Sequence, residues 1–154
     1  MNSLNCTTAL IAALAVWIGY HQYVLARERF KLDLFEKRFT VYKATQKYLA
    51  TIMKNPRIDL GVPMMFSYET QDAVFLFGRE IVEYLNSLYE KALDMKDLQD
   101  KRDQLPAGPG PERSALCDQE TKLVLELTHE LPKLPERFGS YLKFRAWKRS
   151  SWII

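Results

Sequence analysis

The sequence predicts an all-α protein in which an N-terminal transmembrane helix continues into a cytoplasmic helical hairpin or three-helix bundle. Three observations predict it. The first charged side chain is Arg27, apolar residues recur at helical spacing along the later segments, and no stretch alternates convincingly between apolar and polar residues as a strand would. The 154 residues are thus expected to form an anchor over 1–26, a helical bundle over 27–136 and a basic aromatic tail over 137–154.

The predicted anchor centres on the unbroken apolar run Ala9–Tyr20. Because a helix needs about 20 residues to cross a bilayer, the span must extend over Thr7–Ala26 and include two polar residues near its end. Aromatic side chains collect at the membrane interface, and those placed to do so here are Trp17, Tyr20 and Tyr23.

Two alternatives to a membrane anchor stay open for this segment. A cleaved secretory signal starts with a basic region, but Met1–Thr8 contains no Lys or Arg. A first helix of a soluble protein would carry one polar face, whereas this run is apolar on all sides, as lipid exposure favours.

The orientation of the anchor is predicted from the basic residues beside it. Nothing basic precedes the apolar run, and Arg27 and Arg29 follow it directly. Basic residues accumulate on the cytoplasmic side of membrane spans. We therefore expect a single-pass inner-membrane protein with its N-terminus outside, and the lone Cys117 suits a reducing cytoplasm.

A long helix is expected to continue from the anchor to Met53, because no Pro or Gly occurs between Leu25 and Met53. Its apolar residues follow a 4–3 spacing, with Gln46 as the one interruption, and this spacing predicts a seam for packing against a partner or the bundle. Asn55-Pro56 ends the helix. The seam residues are Leu32, Phe35, Phe39, Tyr42, Leu49 and Met53.

Three further segments complete the predicted bundle. An unusually apolar loop, Lys54–Tyr68, leads to a second helix over Thr70–Leu105, whose seam includes Val74 and Phe77 and is interrupted by two basic residues, Lys91 and Arg102. After a Pro-Gly turn, a third helix is expected over Glu112–Leu131 and a short last one over Glu136–Trp147. Pro111 suits the first turn of the third helix.

No motif of a known catalytic or nucleotide-binding chemistry occurs in the chain. Glu126 and His129 have the Glu-x-x-His spacing of di-iron bundles, but a second copy is missing, and Cys6 and Cys117 belong to no ligand cluster. We therefore expect no enzyme activity, metal or other cofactor, and no small-molecule substrate is identified. Nucleic-acid binding is not expected, because acidic segments offset the basic ones.

The tail combines aromatic and basic side chains, and residues 137–154 contain five basic residues and no acidic one. This composition is typical of a segment at an anionic membrane surface. Packing on the bundle core and docking to a protein partner stay open as alternatives. The aromatic residues and arginines at the anchor are membrane-surface candidates. The candidates in the tail are Lys143, Arg145, Trp147, Lys148, Arg149 and Trp152.

The string from Lys31 to Thr45, KLDLFEKRFTVYKAT, resembles that of a group of short, uncharacterised bacterial single-pass inner-membrane proteins. These proteins carry a similar string after an apolar N-terminal helix. The resemblance covers about 25 residues, His21–Thr45, and implies a bacterial inner-membrane location. It implies no activity and no functional residue.

Together, these features favour a non-enzymatic membrane protein, an accessory or interaction subunit that contacts another membrane protein or itself through its cytoplasmic helices. The alternative is a membrane-active effector, such as a small toxin or lysis factor, that uses the short anchor and the basic aromatic tail. In both cases membrane lipid is an expected partner.

Overall fold

A computed structural model describes residues 2–106, 108 and 110–143, with side chains from residue 10 onward. Every regular element among these residues is helical, which confirms the all-α prediction. A 3₁₀ turn over Leu131–Lys133 joins the last two α-helices. The helices are α1 (Asn2–Lys54), α2 (Gly61–Thr70), α3 (Ala73–Leu76), α4 (Arg79–Gln104), α5 (Pro111–Glu130) and α6 (Leu134–Leu142).

The chain divides into two compact units, Met1–Glu36 and Lys37–Ile154, so that α1 contributes to both. In the first unit every side chain over 10–33 is exposed, and many of these side chains are large and apolar. Over the described residues, no helix combines the length and the apolarity needed to cross a membrane.

The second unit is a helical bundle with one hydrophobic core. α4 packs most extensively on α5 and also contacts α2 and α3. Core side chains come from nearly every helix of this unit, since burying one apolar face of each is what stabilises a bundle. The most deeply buried large apolar side chains are Leu49, Ile52, Leu88, Met95, Leu127, Leu134 and Phe138.

The two basic residues that interrupt the α4 seam both pair with glutamates of α5. Lys91 Nζ lies 2.9 Å from Glu126 Oε2, and Arg102 forms an ion pair with Glu120. Half-buried charges need such partners. These interruptions therefore mark the face of α4 that meets α5.

The buried face of α1 is broader than the heptad seam predicted for it and shares only Leu49 with that seam. The helix presents a broad face to the core rather than a narrow stripe, and the buried residues are Val41, Ala44, Thr45, Tyr48, Leu49 and Ile52. A count of apolar residues misses Thr45, whose hydroxyl becomes compatible with burial by donating a hydrogen bond to Val41 O at 2.9 Å.

Residues 61–76 also differ from their prediction. The expected apolar loop contains a helix, α2, because Pro63 lies in the first turn, where its missing N–H is not needed. The expected second helix is interrupted before α3 and again at Phe77, whose backbone is extended (φ −131°, ψ 167°). By contrast, α5 begins at Pro111 as Pro in a first turn predicts. α6 ends at Leu142, and residues 144–147 of its predicted range lie outside the described residues.

Candidate interaction surface

One group of large apolar side chains on α2 and α3 points away from the core. We call this group, with the intervening backbone, the α2–α3 surface. Its most exposed member is Phe75, with 86% of its surface accessible. Contiguous exposed apolar patches on folded domains mark sites of interaction. Its side chains are Leu60, Met64, Met65, Tyr68, Val74 and Phe75.

The opposite side of α2 holds this surface in place. The Phe66 ring stacks on the Tyr48 ring of α1, with centroids 4.0 Å apart and planes 7° apart. Thr70 is buried, and its hydroxyl donates to Phe66 O at 2.8 Å. α2 is thus apolar on both faces: one face anchors it on the bundle, and the other lacks cover among the described residues.

A groove lies on each side of α2. The first, about 270 Å³, separates it from α1 and is lined by residues that include Thr51, Asp59 and Met65. The second, about 250 Å³, separates α2 and α3 from α4 and includes Val74 and Asn86. Methionine side chains adapt to irregular partners. The α2–α3 surface is therefore a ridge between two shallow clefts, a shape that suits a helical or extended peptide.

The segment that carries the α2–α3 surface is acidic, while Lys47 of α1 lines the groove beside it. The segment 58–78 contains no Lys or Arg and three acidic residues: Asp59, Glu69 and Asp72. Glu69 pairs with Lys47 of α1 at 3.1 Å, while Asp59 and Asp72 are exposed. An anionic lipid surface repels acidic groups, so this surface favours a partner with basic side chains.

A cation from α1 joins the end of α3 to the end of α6. Arg38 Nε donates to Leu76 O at 2.8 Å, and one of its terminal nitrogens, Nη1, donates to Tyr141 O at 3.4 Å. Its guanidinium carbon lies 5.3 Å from the centroid of the Tyr141 ring. A charged group that is partly buried is stabilised by such carbonyl and ring partners. Arg38 therefore links the end of α3 to the end of α6 through two backbone carbonyls.

The Tyr141 hydroxyl completes this junction at Gly78. It accepts a hydrogen bond from Gly78 N at 2.9 Å and donates one to Glu80. That hydrogen bond lowers the pKa of the Glu80 carboxyl and raises the pKa of Tyr141. A Cβ atom at position 78 would lie 2.5 Å from the hydroxyl, so a larger residue there would displace Tyr141 and the Glu80 carboxylate. Phe77, which lies between Leu76 and Gly78 in the sequence, packs on Phe138 with ring centroids 5.4 Å apart.

Glu126, the acidic member of the Glu-x-x-His pair, forms an ion pair with Lys91. The hydrogen bond from Lys91, and then its charge, lower the pKa of the Glu126 carboxyl. His129 is exposed. Among the described residues no three potential metal-ligating side chains cluster. Glu126 is thus held by Lys91, on the α4–α5 contact.

Only one of the predicted seam residues is fully buried. Leu49 lies in the core and Tyr42 is half-buried against it, while Leu32, Phe39 and Met53 are largely exposed. Phe35 is half-buried, and the Phe39 ring stacks on Tyr42 at 5.7 Å. As candidates for contact with a partner, these residues stay predictions.

The membrane-surface candidates fall into two groups. Those at the predicted anchor are exposed side chains of α1: Trp17, Tyr20, Tyr23, Arg27 and Arg29. In the tail, Lys143 is exposed directly after α6. The remaining candidates lie outside the described residues: Arg145, Trp147, Lys148, Arg149 and Trp152.

The sequence contained a signal for the α2–α3 surface that the heptad count missed. Ala73-Val-Phe-Leu-Phe77 is a run of five consecutive apolar residues. A single helix cannot turn so many successive side chains toward one core, since they spread around its circumference. Some of these side chains therefore had to face outward, although the run alone does not say which.

No protein-family model, curated protein or solved structure matches this chain.

Proposed function

We propose that this chain is a non-enzymatic membrane protein that makes protein–protein contacts through its helical bundle. Its N-terminal segment would hold it in a bacterial inner membrane, with the N-terminus outside and the second unit in the cytoplasm. There the bundle would bind another membrane protein or a second copy of itself, as an accessory subunit does.

The observation that carries the proposal is the α2–α3 surface. Phe75 exposes 86% of its surface to water, and burying an aromatic side chain of this size is worth about 1.5–3 kcal/mol. Aromatic and Met side chains are enriched in protein interfaces. The inner face of α2 already contacts the core through Phe66, so the outer apolar face is available for contact with a partner.

The exposure of the first unit supports attachment to a membrane. Leu10, Ile11 and Val16 occupy different sides of α1 and are all exposed. A helix that is apolar all round favours lipid or a protein core over water. The predicted span begins at Thr7, ahead of the first described side chain.

The ionisable groups of the second unit contribute to its helix contacts. Each carboxyl with a lowered pKa has a partner that fixes a helix contact: Tyr141 for Glu80, Lys91 for Glu126, and Lys133 and Arg137 for Glu130. For Glu130, burial opposes this lowering. These charges act as links between helices.

Purification in mild detergent tests the proposed contact. We expect the full-length chain to retain a partner or a second copy, and the Phe75→Ser variant to lose it. Leu125→Ser is the matched control, because Leu125 is an apolar side chain of α5 with 52% exposure outside the surface. A strictly monomeric chain without a partner, or equal loss in both variants, would contradict the proposal.

The two cysteines provide a test of the proposed orientation. Cys6 precedes the apolar run and Cys117 lies in the second unit. In spheroplasts, a membrane-impermeant maleimide should label Cys6 and reach Cys117 only after lysis. Cys6→Ser and Cys117→Ser variants assign each signal. Equal labelling of both residues, or release of the protein by alkaline carbonate, would contradict a spanning anchor.

A further inference from the structure

We propose that the α2–α3 surface accepts a basic, apolar segment, and that residues 144–154 of this same chain occupy it when no partner is bound. The inference rests on the proposed function, because the tail would compete with the proposed partner for the same surface. The partner would then have to displace the tail, which makes the contact regulated rather than permanent.

The exit point of the tail lies beside the surface. The carbonyl oxygens of Tyr141 and Leu76 accept hydrogen bonds from the same guanidinium, that of Arg38. Tyr141 also packs on Phe77, with ring centroids 5.2 Å apart. The chain therefore leaves α6 next to the end of α3. Helix α3 ends at Leu76, the residue that follows Phe75.

The tail is long enough to cover the surface. An extended chain advances about 3.3 Å per residue, so residues 144–154 can span roughly 36 Å. The ten-residue helix α2 is about 15 Å long at 1.5 Å per residue. The tail is thus long enough to follow α3 and α2 along their whole exposed length.

The charges of the tail and the surface are opposite in sign. Residues 144–154 contain three basic side chains, Arg145, Lys148 and Arg149, and no acidic one. The surface presents Asp59 and Asp72, and no Lys or Arg interrupts residues 58–78. Complementary charge at the rim of an apolar contact adds specificity and speeds association.

The apolar side chains of the tail match an apolar surface. Phe144, Trp147, Trp152, Ile153 and Ile154 provide five large ones within eleven residues. Docking the tail on α2 and α3 would remove from water both the apolar side chains of the tail and those of the α2–α3 surface. Insertion of the tail in lipid would cover only one set, because the acidic rim keeps the α2–α3 surface away from anionic headgroups.

Tryptophan fluorescence tests the proposal on the full-length chain. The chain has three tryptophans, so a Trp17→Phe background leaves only Trp147 and Trp152, both in the tail. This parent is placed in zwitterionic nanodiscs at one copy per disc. Acrylamide reports contact of the tail with water, and lipids brominated on their acyl chains report contact with the membrane.

We expect blue-shifted emission that both quenchers reach poorly. Adding Phe75→Ser should shift the emission to the red and raise acrylamide quenching severalfold, and Asp72→Lys should do so in part. Adding Leu125→Ser should change neither signal. Since Phe75 and Leu125 are both exposed, circular dichroism should show all variants folded.

Three outcomes would overturn the proposal: strong quenching by brominated lipid in the parent, strong quenching by acrylamide in the parent, or no response to Phe75→Ser. Protection that is seen only when discs hold two copies would assign the tail to a second copy and overturn the arrangement within one chain. The proposed function has a separate readout. If Phe75→Ser loses the partner but the parent shows no protection of the tail tryptophans, the proposed function is retained. The proposal that the tail occupies the surface is then rejected.

Discussion

The α4–α5 contact and the α2–α3 surface show two opposite ways in which an amphipathic pattern is broken. On α4, basic residues interrupt an apolar row, and each finds a glutamate on α5. On α2 and α3, apolar residues occupy positions that a solvated face would give to polar ones. A buried charge requires a partner of opposite charge or a hydrogen bond, and a patch of exposed apolar side chains indicates contact with another segment or molecule.

The two regions therefore differ in where their partners are located. The partners of Lys91 and Arg102 lie within the bundle, so this contact stabilises the fold. No cover for Phe75 and Met64 is found among the described residues, so their partner is expected in the tail or in another molecule. Changes in the core and at the α4–α5 contact should thus alter stability, whereas changes on the surface should alter binding.

The largest effect on stability is expected for Phe138→Ala. Phe138 is fully buried, and its ring meets Tyr42 and Phe77. Removing a buried aromatic ring costs about 3–5 kcal/mol, since the cavity closes only in part. Urea unfolding followed by circular dichroism measures this loss. The control is Leu125→Ala, which should stay within about 0.5 kcal/mol of the parent, and equal losses would refute the assigned core.

A smaller loss is expected for Gln99→Leu in the same unfolding assay. Gln99 is 2% exposed and accepts a hydrogen bond from Ile58 N at 3.0 Å. Its amide nitrogen donates to Pro56 O at 2.6 Å. Leaving these backbone groups buried and unpaired costs about 1–3 kcal/mol. Gln104→Leu, at the exposed end of α4, should have little effect, and a neutral Gln99→Leu would show that solvent satisfies those groups.

A pH-dependent effect is expected for Lys91→Met. Lys91 lowers the pKa of the Glu126 carboxyl, so the pair stabilises the fold above the ordinary carboxyl pKa of about 4.3. That contribution is lost as the pH falls through the lowered pKa. The difference in unfolding free energy between parent and variant should therefore shrink on acidification. Lys101→Met, which removes an exposed pair within α4, should give a difference that changes less. A difference in unfolding free energy between parent and Lys91→Met that grows as the pH falls would contradict the stabilising role of the Lys91–Glu126 pair.

The smallest effect on stability is expected for Phe75→Ser. Because the described residues leave its side chain exposed, only the contact with the tail is removed, and the unfolding free energy measured in urea should fall by less than about 1.5 kcal/mol, while binding is lost. A loss as large as that of Phe138→Ala would show that Phe75 belongs to the core, and the α2–α3 surface would then be a structural element.

The helical fold and several of its boundaries followed from the sequence. Pro111 placed the start of α5, and Asn55-Pro56 placed the end of α1 within one residue. The interruptions at Lys91 and Arg102 marked a helix contact. These features are local or periodic, so they can be found without knowing which helices pack together.

The buried row of α1 and the candidate surface did not follow from the pattern. Thr45 is buried because of a local hydrogen bond, which an apolar count ignores. Phe77 is buried and Val74 exposed because the backbone leaves helical geometry between α3 and α4. At that break Tyr141 approaches Gly78 closely, and residues so far apart in sequence give no periodic signal.

Photo-cross-linking from position 75 tests the central claim most directly. A photoreactive benzoylphenylalanine replaces Phe75 in the full-length chain, reconstituted alone in lipid, and replaces Leu125 in a control. We predict a cross-link from position 75 that maps to residues 144–154, and far less product from position 125. Equal yields at the two positions, or a cross-link from position 75 to lipid alone, would contradict the account.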